Sequence, residues 1–373
     1  MEKMSAKPTV AVALSGGIDS AMAAYRLRRD GFGVVGLHFI TGYEPSGLRD
    51  EKDEIVTFSD GEARARKQLS PLCRELDINL HVLDLRKLFQ REVVDYFIGS
   101  YADGLTPNPC MRCNAAIKFG AVGQFANQLG ARYLATGHYA RTSNGKGCRR
   151  LFKGVDAAKD QSYFLACLNQ EQLSRAVFPL GALTKDQVRR EARELGWQPL
   201  VKRESQDVCF VGDQKYGGFL AAQPGFYPQP GPIEDLNGRL LGRHPGLHGF
   251  TIGQRRGINC PALEPYYVIR LDARRNRLVV GRRDDLITGQ CIVRSINWIC
   301  REPVEPITVQ VKVRYRHQAV GATVTPLEVG RARIDFERPI EAVTPGQGAV
   351  FYRSDEVLGG GWITDDNYEK TRV

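Results

Sequence analysis

The run Val10-Ala11-Val12-Ala13-Leu14 leads without interruption into Ser15-Gly16-Gly17-Ile18-Asp19-Ser20, and a helical pattern begins at once. A short apolar strand, a glycine turn and a helix in that order constrain the fold to a βα unit with its turn at the carboxyl end of the strand. Adjacent glycines let the backbone close on an anion, the first helical amides supply positive dipole, and the Ser15 and Ser20 hydroxyls can donate to phosphate oxygens. The loop carries no lysine, so it is not the GxxxxGK[ST] cradle. A plain turn of small residues is the competing reading.

The helix through Met22, Tyr25 and Leu27 precedes a second apolar strand, Val34 to Ile40, and this βαβ spacing predicts a parallel sheet with nucleotide at the strands' carboxyl ends. Ser59-x-x-Glu62 predicts a capping box opening the next helix. A strand at Ile78 to Leu83, a helix through Phe89, Val93, Tyr96 and Phe97, and a strand at Arg132 to Ala135 follow. A helix starts at Thr184, runs to about Leu195 and stops at Gly196, which completes an α/β domain over residues 1–205. Residues 206–289 break into Gly- and Pro-rich turns with short strands such as Tyr266 to Leu271, predicting a small β-rich central domain. Residues 290–373 predict a C-terminal β-barrel. In Thr308 to Arg316 the residues Val309, Val311 and Val313 alternate with Gln310, Lys312, Arg314 and Arg316, the pattern of a strand with a cationic outer face. Ala332 to Phe336 and Ala349 to Tyr352 extend that sheet, and Pro345-Gly346 turns it.

At 373 residues the chain exceeds the size at which one core keeps growing, in line with several domains. Lys and Arg number 52 against 42 Asp and Glu, and from Arg239 to Arg283 ten arginines face only Glu264 and Asp272. A polyanion is the expected partner; a solvated basic surface is the bland alternative. No apolar run approaches a membrane span, and Met1 to Met4 leads almost directly into the first strand, so a cytoplasmic protein without membrane attachment is expected.

Nine cysteines in such a protein read as thiols, metal ligands or catalytic groups rather than as a disulfide scaffold. Cys73, Cys167 and Cys300 sit in apolar surroundings suited to small buried hydrophobes, and Cys148, Cys260 and Cys291 lack an interpretable context. Cys110 and Cys113 stand apart. Thr106-Pro107-Asn108-Pro109-Cys110-Met111-Arg112-Cys113-Asn114 puts a Cys-x-x-Cys on a proline-stiffened loop, with Cys113 at the expected start of a helix from Asn114 to Leu129. A helix N-terminus and Arg112 would both lower its pKa. A closed zinc ribbon needs a second Cys-x-x-Cys, which the chain lacks, so a redox or sulfur-handling pair is expected. Glu204-Ser205-Gln206-Asp207-Val208-Cys209-Phe210 sets a further cysteine at the domain edge.

Ser15-Gly16-Gly17-Ile18-Asp19-Ser20 resembles the PP-loop of ATP pyrophosphatases, which cleave ATP to AMP and pyrophosphate to adenylate a substrate oxygen. With Thr106-Pro107-Asn108-Pro109, Cys113-Asn114, Ala135-Thr136-Gly137-His138-Tyr139, Lys159-Asp160-Gln161-Ser162-Tyr163-Phe164, Phe250-Thr251-Ile252-Gly253-Gln254-Arg255-Arg256-Gly257, Thr344-Pro345-Gly346-Gln347 and Leu358-Gly359-Gly360-Gly361, the order over nearly the whole chain resembles bacterial tRNA-specific 2-thiouridylases. The resemblance implies an adenine nucleotide α-hydrolase-like (PP-loop) first domain and ATP-dependent 2-thiolation of the wobble uridine of tRNA. ATP would be held by Ala13, Leu14, Ser15, Gly16, Gly17, Ile18, Asp19 and Ser20, with Phe39 and Gly137 near the adenosine and Asp19 helping to hold Mg2+. Cys209 would carry sulfur as a persulfide, with Cys113 as its nucleophilic partner and a transient Cys113–Cys209 disulfide. Contacts to tRNA would come from Asn108, Pro109, Cys110, His138, Lys159, Asp160, Gln161, Arg314, Tyr315 and Gln347. The implied partners are glutamate, glutamine and lysine tRNAs and a cysteine desulfurase or sulfur carrier.

The chain departs from many members at Cys110, where they have Asp in Asn-Pro-Asp-x-x-Cys. That substitution removes a carboxylate and opens a second route, in which Cys110, Cys113 and Cys209 hold a [4Fe-4S] cluster whose free iron carries sulfide. Taken residue by residue, His138 could merely end a strand, Lys159-Asp160-Gln161 could be an ordinary polar loop, and Phe250 to Gly257 a tight basic turn. Two other classes of function stay open: a PP-loop ligase acting on a small metabolite, needing neither RNA nor cysteine, and a non-catalytic RNA-binding protein.

Overall fold

A computed structural model describes residues 7–44, 58–197, 208–211, 216–328 and 330–364. The chain forms two compact units, one of residues 1–92, 110–212 and 355–358, the other of residues 93–109, 213–354 and 359–373.

The first unit is built on a five-stranded parallel sheet. Its strands are β1 (Thr9–Ala13), β2 (Gly33–Ile40), β3 (Asn79–Asp84), β4 (Tyr133–Ala135) and β7 (Ala176–Val177), in the order β3-β2-β1-β4-β7. The hairpin of β5 (Ala140–Asn144) and β6 (Arg149–Lys153) lies outside this sheet and pairs with Glu356 and Val357. The register Ala13↔Leu37 and Val12↔Ala135 makes β1 central, with β2 on one side and β4 on the other. Strand order therefore reverses at β1, and the crevice that such a reversal opens lies at the carboxyl ends of β1 and β4. Val10, Ala11 and Val12 are wholly buried, as a strand covered on both faces requires.

Helix α1 (Ile18–Arg29) buries Ala21, Met22, Ala23, Ala24 and Leu27 against this sheet, and α2 (Phe58–Glu75) adds Leu69, Leu72 and Cys73 to the same core. Ser59 lies inside α2 rather than capping it, and Glu62 pairs with Arg66 one turn on at 2.7 Å. Helix α3 spans residues 86–102 and α4 residues 109–128; each contains a π-helical stretch, Gln90–Val94 and Asn114–Val122 respectively. Helix α4 thus begins at Pro109, four residues before the expected start. After α5 (Gln170–Arg175), Thr184 caps α6 (Lys185–Glu194) reciprocally with Gln187, and Gly196, at φ +76°, stands just beyond its end.

In the second unit, after α7 (Tyr216–Ala221), strands β8 (Gly231–Asp235), β9 (Leu240–His244), β10 (Tyr267–Asp272) and β11 (Arg277–Gly281) form a four-stranded sheet ordered β10-β11-β8-β9. It encloses Ile233, Leu247, Phe250, Ile258, Val268, Leu278 and Val280. Strands β12 (Ile287–Trp298), β13 (Ile307–Lys312), β14 (Val320–Pro326), β15 (Ala332–Glu341), β16 (Gly348–Arg353) and β17 (Glu356–Ile363) run β12-β15-β14-β13-β16-β17, and β12 pairs again with β17 to close a barrel. Closure removes the free edges that an open sheet exposes. Val309, Val311 and Val313 are buried as expected, but β13 ends at Lys312, so Arg314 and Tyr315 sit in the turn that follows rather than on a cationic strand.

Among the described residues no helix is long and apolar enough to cross a membrane. Cys300 is not the free buried thiol expected. It is exposed and disulfide-bonded, a state that reasoning from compartment alone did not foresee. The expected boundary at residue 205 and the residues Glu204 to Asp207 lie outside the described residues.

Candidate functional site

Two adjoining turns of the first unit carry the residues expected to hold nucleotide. Gly16 adopts φ +80°, and a Cβ there would stand 2.6 Å from Gln68 Nε2, so the turn needs glycine for both conformation and space. Ser20 Oγ donates to Gly17 O at 2.9 Å and accepts from Ser15 N at 3.2 Å, which fixes the loop before any ligand contributes. From the end of β4, Gly137 passes so close to the start of α1 that an added Cβ would lie 2.8 Å from the Asp19 carbonyl carbon and 2.9 Å from its Cβ. Phe39 is half-buried near the carboxyl end of β2, beside β1. Ala13, Leu14, Ile18 and Asp19 complete the run between strand and helix.

Asp19 is not an isolated carboxylate. Its two oxygens each lie 2.7 Å from Lys185 Nζ, and Oδ1 also accepts from Tyr139 Oη at 2.9 Å. Lys185 is the first residue of α6, and its side chain is 6% exposed.

The cysteines occupy the same unit. Cys110 and Cys113 lie on the first turn of α4, and Cys209 follows α6 in the chain. All three are free thiols, and charges on Cys110 and Cys113 would each be opposed by Cys209. Burial pushes the Cys110 thiol up to about 11 and that of Cys113 up to about 12. Protein packed around Cys209 raises its thiol too, although the residue is exposed.

These shifts reverse the expectation of a lowered pKa at Cys113, for two reasons. Cys113 closes the first turn of a helix that starts at Pro109, and desolvation there outweighs the charges that would lower its pKa. Arg112 points away and pairs with Glu92 at 2.7 Å. The cation that does act on Cys110, Cys113 and Cys209 is Lys118. It is five residues past Cys113, within the π-helical stretch that follows it. Among the described residues no three His, Cys, Asp or Glu side chains are placed to share a metal ion. The reading in which Cys110, Cys113 and Cys209 hold a [4Fe-4S] cluster therefore gains no support from the described residues.

His138 is 8% exposed, with Phe119 and Phe178 at ring distances of 6.3 Å each. Desolvation, with Lys118 adding to it, holds the imidazole well below its ordinary pKa, so it is neutral at pH 7 and shares a 2.7 Å hydrogen bond with Thr136 Oγ1. Asp160 is buried and accepts from Gly154 N and Ser162 N at 3.0 Å each. Gln161 takes the Tyr139 amide on its side-chain oxygen at 3.0 Å, while Lys159, half-buried, stays at the edge of this loop.

Other residues expected at tRNA belong to the second unit. There the Gln347 amide donates to Thr106 O and Pro107 O at 3.2 and 3.3 Å, and Thr106 N donates to Pro345 O at 2.9 Å. Gly346, at φ +89°, would bring a Cβ within 2.9 Å of Thr106 O. This clamp holds the loop that continues through Asn108 and Pro109 into the cysteine turn. Arg314 donates to Ala342 O at 2.6 Å and to Thr344 Oγ1, and the Lys312 ammonium lies 5.6 Å from the Tyr315 ring centre.

Sequence reasoning missed Lys118 and Lys185. A five-residue spacing carries no signal for an ordinary helix, and 166 positions separate Lys185 from Asp19.

Family models match in chain order: a tRNA methyl transferase HUP domain over residues 8–213, a tRNA methyl transferase PRC-barrel domain over 219–282, and an aminomethyltransferase β-barrel domain over 288–363. The chain is 50% identical over 359 residues to a tRNA-specific 2-thiouridylase of Desulfosudis oleivorans, covering 96% of each chain. It is 44% identical to that of Chlorobium luteolum, again over 96% of each, and 41% identical to that of Geobacter metallireducens over 96% of this chain and 97% of the other. A solved 4-thiouridine synthetase–RNA complex with bound ATP aligns with 55% of this chain and 46% of its own at a TM-score of 0.35 and 20% identity, too low to add to the argument. At such identity over nearly its full length, the chain belongs to the family of tRNA-specific 2-thiouridylases.

Proposed function

We propose that this protein replaces the C2 oxygen of the wobble uridine of tRNA with sulfur, using ATP. The observation that carries the reading is the presence, in one unit, of a lysine-free glycine loop and the three free thiols Cys110, Cys113 and Cys209. Methyl transfer, the activity in the family-model descriptions, would give neither feature a task.

The loop residues Ala13 to Ser20, with Phe39 and Gly137, fit a nucleotide. The tight glycine turn leaves no room for a Cβ, and Asp19 offers the hard oxygens that Mg2+ prefers. ATP supplies the adenylyl group that makes the uridine oxygen a leaving group.

The sulfur steps then balance as follows. The terminal sulfur of a Cys209 persulfide attacks C2 and AMP departs, leaving the base linked through sulfur to Cys209. Cys113 sulfur attacks Cys209 Sγ, a Cys113–Cys209 disulfide forms, its proton is lost, and the thiolated base leaves. An external dithiol reductant restores the pair. A persulfide is more acidic than a thiol, so Cys209 can be reactive while Cys113 stays protonated until its step. Cys110, His138, Asn108 and Pro109 would frame the base; Lys159, Asp160, Gln161, Arg314, Tyr315 and Gln347 would order the tRNA-facing loops. The base must leave its stack to be reached.

Glutamate, glutamine and lysine tRNAs are the proposed substrates, a cysteine desulfurase or carrier the proposed sulfur source, and the cytoplasm the proposed compartment. Single-turnover assays with persulfide-loaded protein test the thiol roles. Cys113→Ser should trap base-linked Cys209, and Cys209→Ser should accept no sulfur; product formation at the wild-type rate in both variants would refute the reading.

A further inference from the structure

The second unit carries a cavity of about 590 Å³, lined by residues of both the four-stranded sheet and the barrel and by none of the residues expected at ATP or tRNA. That is the size of a small-ligand site. Two strand ladders break at its wall. In β10 the pairing steps from Val268↔Val280 to Arg270↔Val279, which makes Ile269 an extra residue, and in β12 it steps from Thr288↔Ile340 to Gln290↔Asp335. Ile269, Arg270, Thr288 and Gln290 all line the cavity. Bulges re-aim side chains and are over-represented beside active sites, so two at one cavity point to a built site rather than a gap in packing.

Arg270 is the polar group that this wall leaves unused. Its Nε is sealed from solvent and has no acceptor among the described residues. Two acids of the same sheet, Asp272 and Glu234, are both taken by Arg277 at 2.8 Å each. A sealed donor without an acceptor is destabilising, and an incoming carboxylate removes that cost. The rest of the lining narrows the ligand. Ile252, Leu286 and Val343 are aliphatic, and no aromatic ring of the described residues lines the cavity, so it offers an RNA base nothing to stack on. Asp235 and Asp285 line it too, each holding backbone amides of its own turn, and they oppose a phosphate chain. Leu236 and Ile287, which line the cavity yet are 54% and 46% exposed, set apolar surface at its mouth. We propose that this cavity binds a small aliphatic monocarboxylate, with Arg270 taking the carboxylate and the branched side chains its hydrocarbon.

Saturation-transfer NMR titrations of the full chain with octanoate, octanol and ω-aminooctanoate test it. Octanoate should bind about tenfold or more tightly than octanol, the scale of a charge-assisted hydrogen bond, and Arg270→Gln should erase that difference while leaving octanol within about threefold. The third probe separates two sources of such a ligand. If ω-aminooctanoate binds more tightly than octanoate, the ligand is an amino-acid-like zwitterion whose ammonium reaches Asp235 or Asp285; if less tightly, it is a plain carboxylic acid. No binding of octanoate at millimolar concentration, affinity equal to that of octanol, or affinity that Arg270→Gln leaves unchanged would overturn the proposal. If Arg270→Gln does not fold, phenylglyoxal modification of the wild type, read at Arg270 by mass spectrometry, decides. Protection of Arg270 by octanoate and not by octanol supports the assignment; protection by tRNA alone gives the arginine to RNA and overturns it.

Discussion

The protonated state of Cys113 leads to a quantitative expectation. Its thiol is pushed up to about 12 by burial. At pH 8 the thiolate fraction is then about one in ten thousand, against roughly one in ten for an unperturbed thiol, so alkylation at Cys113 should run about a thousandfold slower. The sign follows from which form burial disfavours: the charged thiolate loses hydration, so reactivity appears only as pH climbs toward 12. Iodoacetamide labelling of the sulfur-free protein between pH 7 and 10, read peptide by peptide by mass spectrometry, measures this, with a small-molecule thiol as reference. The Cys113 rate should rise tenfold per pH unit across the whole range. Lys118→Met removes the cation that opposes the shift and should slow Cys113 further at every pH. Alkylation of Cys113 at pH 7 as fast as the reference thiol would refute both the raised pKa and the two-step order of sulfur transfer built on it.

Other expectations follow from single contacts. Gly137→Ala forces a Cβ against the Asp19 backbone and should cost about 1–3 kcal/mol in urea unfolding while weakening ATP binding. Arg314→Ala leaves the Ala342 carbonyl without its guanidinium partner and should destabilise by about 1–3 kcal/mol; a fall in tRNA affinity beyond that seen for an equally destabilised barrel variant would assign it a direct tRNA contact. Thr184→Ala removes a reciprocal cap and should cost about 0.5–2 kcal/mol in urea unfolding.

The α/β order and the barrel were legible because each rests on local periodicity. Val10 to Ala13 is an unbroken apolar run, Val34 to Ile40 is apolar apart from His38, and Val309 and Val311 alternate cleanly. The end of β13 was not legible, since Val313 keeps the buried phase after the ladder has stopped. The start of α4 had a signal in Pro109, whose fixed φ suits a first helical position, but the helix was expected only after Cys113, and the burial that raises that thiol's pKa had no local signal. The tight turn at Gly16 could be read from its glycines alone. The Asp19–Lys185 ion pair could not, because nothing in the spacing ties the two residues together, and Lys118 lies in a π-helical stretch that no helical periodicity predicts.

The central claim is sulfur transfer to tRNA driven by ATP. Purified protein, ATP, Mg2+, a sulfide source and unmodified glutamate tRNA, followed by digestion and mass spectrometry, should yield 2-thiouridine at the wobble position and one AMP per thiolated base, with no product when ATP is withheld. Pyrophosphate release from folded protein without any 2-thiouridine, even when a desulfurase-generated persulfide is supplied, would contradict it.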